Sequence, residues 1–203
     1  MPRIRAASIG EHNEMVWAAL AEALRQLVHE QDYESITMGH IAARAGLARN
    51  TLYNYARDKR ALVLALTQRA ARPAIEQVAA IAARSADPAA DRIREIVEAV
   101  LAASTDPAMH LMFRPGSGPI VADVPKEPHS PFHAIVVEVH NVVRDGMIRG
   151  EFRDLDDVPL LVQLLSGVVR AGAECIGRDP ATFTATVSAT CDIVLASLLR
   201  NPR

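Results

Sequence analysis

Apolar residues recur along this chain at three- and four-residue intervals, in blocks separated by glycines, prolines and acidic turns. Val16, Leu20, Leu24, Leu27 and Val28 form the first block. They predict an amphipathic helix over about 11–30, with Trp17 at the border of its buried face. Tyr33 and Ile36 follow in a connection expected to fold back onto the same core. Ile41, Ala42 and Ala45 make a short stripe, Gly46 breaks it, and Leu47 and Leu52 resume it on a second short helix over about 48–55. From Asp58 a longer stretch carries Leu62, Leu66, Ile75, Val78 and Ile81, with Pro73 in its middle. Proline removes an amide donor and crowds the preceding turn. Pro73 is therefore expected either to kink or break this helix or to mark a plain helix boundary.

The next helix should begin at Asp87-Pro88 or at Asp91, with Ile93, Ile96, Val97, Val100 and Leu101 facing inward. Between Arg114 and Pro131 stand Pro115, Gly116, Gly118, Pro119, Pro125 and Pro128, a density that predicts a long loop. Ser130-Pro131 reads as a cap followed by proline at the first helical position, opening a helix to about Ile148. Val158 to Ile176 is strongly apolar, and a last helix over about 181–200 sets Phe183, Val187, Val194 and Leu198 among small residues. Helices apolar or small over so much of their circumference meet either an intramolecular core or a second subunit. The expected assembly is a homodimer through the helices near 158–176 and 181–200.

With strand-like alternation scarce, the predicted class is all-α. Composition agrees: of 203 residues half are hydrophobic, but only 4% are aromatic, so the core is aliphatic. Net charge is −2, which excludes a generic polyanion binder. The charge is uneven, though. Arg44, Arg49, Arg57, Lys59 and Arg60 face Asp58 alone between Thr37 and Arg60, and Arg3 and Arg5 sit near the N-terminus. A basic patch on a slightly acidic chain is the footprint of a DNA reader with a separate body. No apolar run follows Arg3 and Arg5, and no unbroken run of about eighteen apolar residues occurs, so a soluble cytoplasmic protein without membrane attachment is expected. Cys175 and Cys191 lack zinc-type spacing and fit a reduced compartment as free thiols. Both fall on the expected interface helices.

The basic patch coincides with the two short helices around Gly46. Small Ala42, Gly46 four residues on and Leu52 six further have the spacing of a helix-turn-helix, whose second helix enters a major groove. If Leu47 and Leu52 point inward, Arg49, Asn50, Tyr53 and Asn54 share the outward surface, where Arg and Asn bond to base edges and hydroxyls to phosphates. Taken singly, each is an ordinary solvated residue. Thr37 is the expected N-cap of the first short helix. His40 stands where an acid would complete a capping box, so that cap is expected to be incomplete.

The segment YESITMGHIAARAGLARNTLYNYARDKRALVLAL resembles the DNA-binding region of the TetR family of transcriptional regulators. The likeness rests on Tyr33, Thr37, Ile41-Ala42, Ala45-Gly46, Thr51-Leu52-Tyr53, Tyr55, Lys59 and Ala61-Leu62 at fixed offsets. The resemblance implies that Thr51, Tyr53, Tyr55 and Lys59 position the backbone and that Arg49, Asn50 and Asn54 read bases. With Thr37 and Arg44 they form the expected DNA-binding set. Three positions depart from the pattern: Ala56 where the family usually has phenylalanine, Ala48 where serine is common, and Asp32 where glycine is common. Losing the phenylalanine should thin the small core by about 2–4 kcal/mol unless another side chain fills the space, and Trp17 is the candidate.

In the body, Met109, Met112, Phe113, Phe132 and Met147 read equally as a plain core and as the lining of an apolar ligand pocket. The family resemblance adds weight to the pocket, with His133 and His140 as its polar points. His110 and His129 lie in the same region. His133 and His140 are about 10 Å apart along a helix and cannot share one ion, so no metal and no cofactor is expected.

Together these readings describe a ligand-responsive, DNA-binding transcriptional repressor, released from its operator by a small apolar effector. A helix-turn-helix domain over 1–57 would precede an effector-binding and dimerisation domain over 58–203. Two alternatives stand beside it. One is a helical metal-binding protein or enzyme using His110, His129, His133 and His140, although no nucleophile motif or phosphate-cradling glycine loop is present. The other is a dimeric ligand carrier whose DNA domain has decayed, suggested by Ala56.

Overall fold

The computed structural model describes residues 9–106, 109 and 131–200. Among them are eight α-helices and no strand: α1 (Ile9–Glu30), α2 (Met38–Arg44), α3 (Arg49–Tyr53), α4 (Lys59–Ala82), α5 (Ala89–Ala103), α6 (Pro131–Ile148), α7 (Val158–Arg178) and α8 (Phe183–Leu198). The expected 114–130 loop and the Ser130 cap lie outside the described residues. The chain divides into two compact units, residues 1–69 and 70–203.

In the first unit the predicted stripe of α1 is buried at Val16, Leu20, Leu24 and Leu27, joined by Ile36, Ile41, Ala42, Leu52, Leu62 and Leu66. Tyr33–Ser35 form a single 3₁₀ turn that returns Ile36 to this core. Burial, then the carboxylates of Glu34 and Asp58, push the Tyr33 phenol up to about 12. Asp58 opens α4 by accepting from the Ala61 amide at 2.7 Å.

Pro73 does not end α4, which runs through it from Lys59 to Ala82, so the helix-boundary reading is corrected. What proline removes is one rung, the bond that residue 73 would donate to the Arg69 carbonyl. The division between the two units falls immediately after Arg69.

In the second unit α5 packs on α6, α7 and α8, and α7 also meets α6 and α8. Ile93, Ile96, Val97 and Leu101 face inward as predicted, among Val142, Val143, Val162, Ile176, Val194 and Leu198. One member of that stripe was not anticipated. Arg92 is 2% exposed, pairs with Asp145 on α6, and donates to the Ala82 carbonyl at 3.1 Å. Arg149 joins the same corner, donating to the Ser85 and Asp87 carbonyls at 2.7 and 3.0 Å and pairing with Glu151 at 2.9 Å. Glu151 in turn accepts from the Ala89 amide at 2.6 Å, so the first turn of α5 is capped from across the fold. Beside this corner Phe152 is fully buried against Gly146, where a Cβ would overlap the Phe152 ring.

Candidate nucleic-acid interface

The site is built on the turn after α2. Gly46 has φ +69°, its amide donates to Ala43 O at 3.2 Å, and the Leu47 amide donates to Ala42 O at 2.9 Å. That pair of bonds is a Schellman motif. It requires a residue in the left-handed region just past the helix and satisfies two carbonyls that would otherwise lack partners.

The start of α2 corrects the expectation of an incomplete cap. The His40 amide donates to Thr37 Oγ1 at 3.2 Å, and the Thr37 amide donates to His40 Nδ1 at 3.4 Å. An imidazole nitrogen serves where a glutamate was sought, so the capping box is closed. Ala48, in contrast, caps α3 with no side-chain bond.

α3 is shorter than its predicted range, with Leu52 fully buried and Leu47 half-buried. Arg49, Asn50, Tyr53 and Asn54 are exposed, and Thr51 and Tyr55 are half-buried. Arg49 Nη2 lies 3.4 Å from Tyr53 Oη, and the guanidinium carbon is 5.8 Å from the ring centroid. The outward face expected of a reading helix is therefore brought together.

Two members of the expected DNA-binding set, Arg44 and Lys59, hold internal partners. Arg44 on α2 bonds Glu30 on α1 at 2.8 and 2.6 Å and Gln26 at 3.3 Å, holding the Glu30 carboxyl below the usual carboxylate range. Lys59 Nζ donates to Tyr33 O at 2.7 Å and sits 4.0 Å over the Tyr33 ring, pinning the 3₁₀ turn to the start of α4. An open cleft of about 470 Å³ lies beside Arg44, lined by Leu27, Glu30, Gln31, His40 and Ala43, and no expected effector residue lines it.

A family model described as bacterial regulatory proteins, tetR family, matches residues 20–66, which span the last part of α1, the whole helix-turn-helix and the start of α4. Over this helix-turn-helix segment the chain is similar to the TetR family. No curated protein matches it in sequence.

Solved structures share the fold of this chain at low identity. The fatty acid degradation regulator FadR from Bacillus halodurans is 16% identical with a TM-score of 0.71, covering 93% of this chain and all of that one. FadR from Bacillus subtilis, solved with stearoyl-CoA, is 14% identical with a TM-score of 0.72, covering 91% and 98%. SmeT, repressor of the Stenotrophomonas maltophilia multidrug efflux pump SmeDEF, is 16% identical with a TM-score of 0.71, covering 93% and 90%.

In the second unit, Met109 is buried, and Phe132 and Met147 pack half-buried against the core. Met112, Phe113, His110 and His129 lie outside the described residues. His133 is exposed, whereas His140 is half-buried and its buried Nε2 has no hydrogen-bond partner among the described residues. Burial, then the charges of Arg144 and His133, lower the His140 pKa. Among the described residues no three His, Cys, Asp or Glu side chains converge as metal ligands. Cys191 is buried and Cys175 exposed, both as free thiols.

α7 and α8 keep large apolar side chains in solvent: Leu164 is 61% exposed, Ile193 55% and Leu160 52%. α7 and the 180–198 segment are long and apolar enough to cross a membrane, each with a mean hydropathy of 1.4. Gln163, Arg170 and Glu174 interrupt the first.

Proposed function

We propose that this chain is a homodimeric cytoplasmic repressor that leaves its operator when a small apolar molecule binds its second unit. The observation that carries the reading is the outward face of α3. Arg49, Asn50, Tyr53 and Asn54 are grouped on a helix whose opposite face is sealed by Leu52. Arg49, Asn50 and Asn54 are assigned to base edges, and Thr37, Thr51, Tyr53 and Tyr55 to phosphates. Arg44 and Lys59 are assigned to the same surface only by exchanging their internal partners for phosphate. Residues 1–57 carry the reading, and residues 58–203 carry effector binding and dimerisation.

For the effector, Met109, Phe132, His133, His140 and Met147, with Met112 and Phe113, are assigned to the lining. The unpartnered Nε2 of His140 supports a single polar contact in an otherwise apolar site. That stearoyl-CoA accompanies the Bacillus subtilis FadR and triclosan accompanies SmeT supports an apolar effector here. Exposed Leu160, Leu164 and Ile193 support a self-association surface on α7 and α8. Effector binding would then shift the population between DNA-competent and DNA-incompetent forms.

The test is fluorescence anisotropy of the full-length protein on DNA flanking its own gene, at low salt, with and without apolar candidates found by thermal shift. A saturable, sequence-specific complex weakened by such a compound is expected. Binding that is equal on unrelated DNA would overturn the reading.

A further inference from the structure

Arg49 differs from the neighbouring cations in what holds it. Arg44 is taken by Glu30, Lys59 by the Tyr33 carbonyl, and Arg57 lies 3.3 Å from the Asp58 carboxylate. Arg49 has no carboxylate partner among the described residues. Its one polar neighbour is the Tyr53 hydroxyl at 3.4 Å, one helical turn along the same exposed face. A hydroxyl accepting from Nη2 fixes one edge of the guanidinium and leaves its other donors unoccupied. It also keeps the hydroxyl's own hydrogen available for a second acceptor. Arginine held in this way presents a rigid planar fork rather than a mobile point charge.

We propose that Arg49 reads a guanine in each operator half-site, donating to O6 and N7 on its major-groove edge. Tyr53 acts as its positioning residue, accepting from Arg49 while donating to a backbone phosphate. Guanine is the base whose major-groove edge offers two acceptors side by side, matching a two-donor fork. The inference rests on the DNA-reading assignment above and adds to it the identity of one base and the residue that reads it.

The experiment uses the full-length protein and its best-bound operator fragment, replacing each guanine in turn with 7-deazaguanine, which lacks N7, or with inosine, which keeps N7 and O6. One guanine per half-site should lose about tenfold in affinity on 7-deaza substitution and little on inosine substitution. That penalty should vanish in Arg49→Ala and shrink in Arg49→Lys and Tyr53→Phe, with dimer and helix content unchanged. The lysine variant keeps the charge, so a folding failure of the alanine variant would still leave a reading. If the operator is bound specifically but Arg49→Lys and Arg49→Ala keep the full penalty at every guanine, the proposal falls and the regulator reading stands. A base-independent loss with a salt slope smaller by about one also overturns it, making Arg49 a phosphate contact. If the wild-type chain binds no DNA specifically, both readings fall.

Discussion

The indole of Trp17 on α1 meets the ring of Tyr55 edge-on, with centroids 5.4 Å apart and planes at 87°. Arg69 lies over that indole, 5.1 Å from its centroid, and is itself paired with Glu14. Ala56, next to Tyr55 in sequence, is buried although it is small. Trp17 remains the candidate filler for the space that a phenylalanine at position 56 would take.

Trp17→Ala should therefore destabilise the first unit by about 2–4 kcal/mol, below a fully buried tryptophan because Trp17 is half-buried. Ala56→Phe should cost about 1–3 kcal/mol in the wild-type background by overpacking, and less when Trp17 is already alanine. Denaturant unfolding followed by far-UV circular dichroism reads both. Stabilisation by Ala56→Phe alone would mean the space is empty.

Two glycines should respond to alanine for different reasons. At Gly46 the added Cβ meets nothing within 4 Å, so the cost is the left-handed backbone alone, about 1–2 kcal/mol. At Gly146 the Cβ would overlap the Phe152 ring and lie 2.9 Å from Ala89 Cβ, so about 3 kcal/mol or more is expected. Equal losses in melting experiments would contradict this ordering.

Removing Asp145 should hurt more than removing Arg92. Asp145→Ala leaves a guanidinium buried at 2% exposure without its counter-charge, a loss of about 3–5 kcal/mol. Arg92→Met fills the same space without charge and leaves Asp145, about a third exposed, beside Arg149, so less than half that loss is expected. Chemical denaturation of the two variants and their double mutant measures the difference.

The lowered pKa of His140 has a defined sign. Below its ordinary value of 6.5 the unfolded chain takes up a proton that the folded chain resists. Its contribution to stability is thus complete above about 6.5 and is lost as pH falls through the folded pKa. Between pH 7.5 and 5.5 the wild-type melting temperature should fall more than that of His140→Gln. Parallel curves would remove His140 from the account.

Leu164→Glu and Ile193→Glu place charge on the exposed apolar surface of α7 and α8 without disturbing a buried position. Each should convert the proposed dimer to monomer in analytical ultracentrifugation and weaken operator binding by tenfold or more while the helices persist. Unaltered sedimentation would move self-association to another surface.

The helices were legible because apolar spacing alone specifies which face is buried, as the stripes of α1 and α5 show. The outward face of α3 followed from Leu52, since one buried position on a short helix determines which neighbours point out. Long-range partners were not legible. Arg92 looks solvated in sequence, because its partner Asp145 is 53 residues away, and the Glu151 cap of α5 comes from 62 residues away. The internal commitments of Arg44 and Lys59 were hidden for the same reason: a cation in a basic patch does not announce a carboxylate or carbonyl on another element. The His40 cap was not legible because an imidazole nitrogen takes the place where an acid is customary.

Pro73 makes α4 continuous in shape but discontinuous in hydrogen bonding, with the missing rung at Arg69 where the two compact units divide. That coincidence marks a natural splice point. A chimera that joins residues 1–69 of this chain to the body of a relative at its corresponding residue 70 would cut the helix where its ladder is already incomplete. Recombination at that joint, in evolution or on the bench, would exchange the unit proposed to sense while keeping the unit proposed to read.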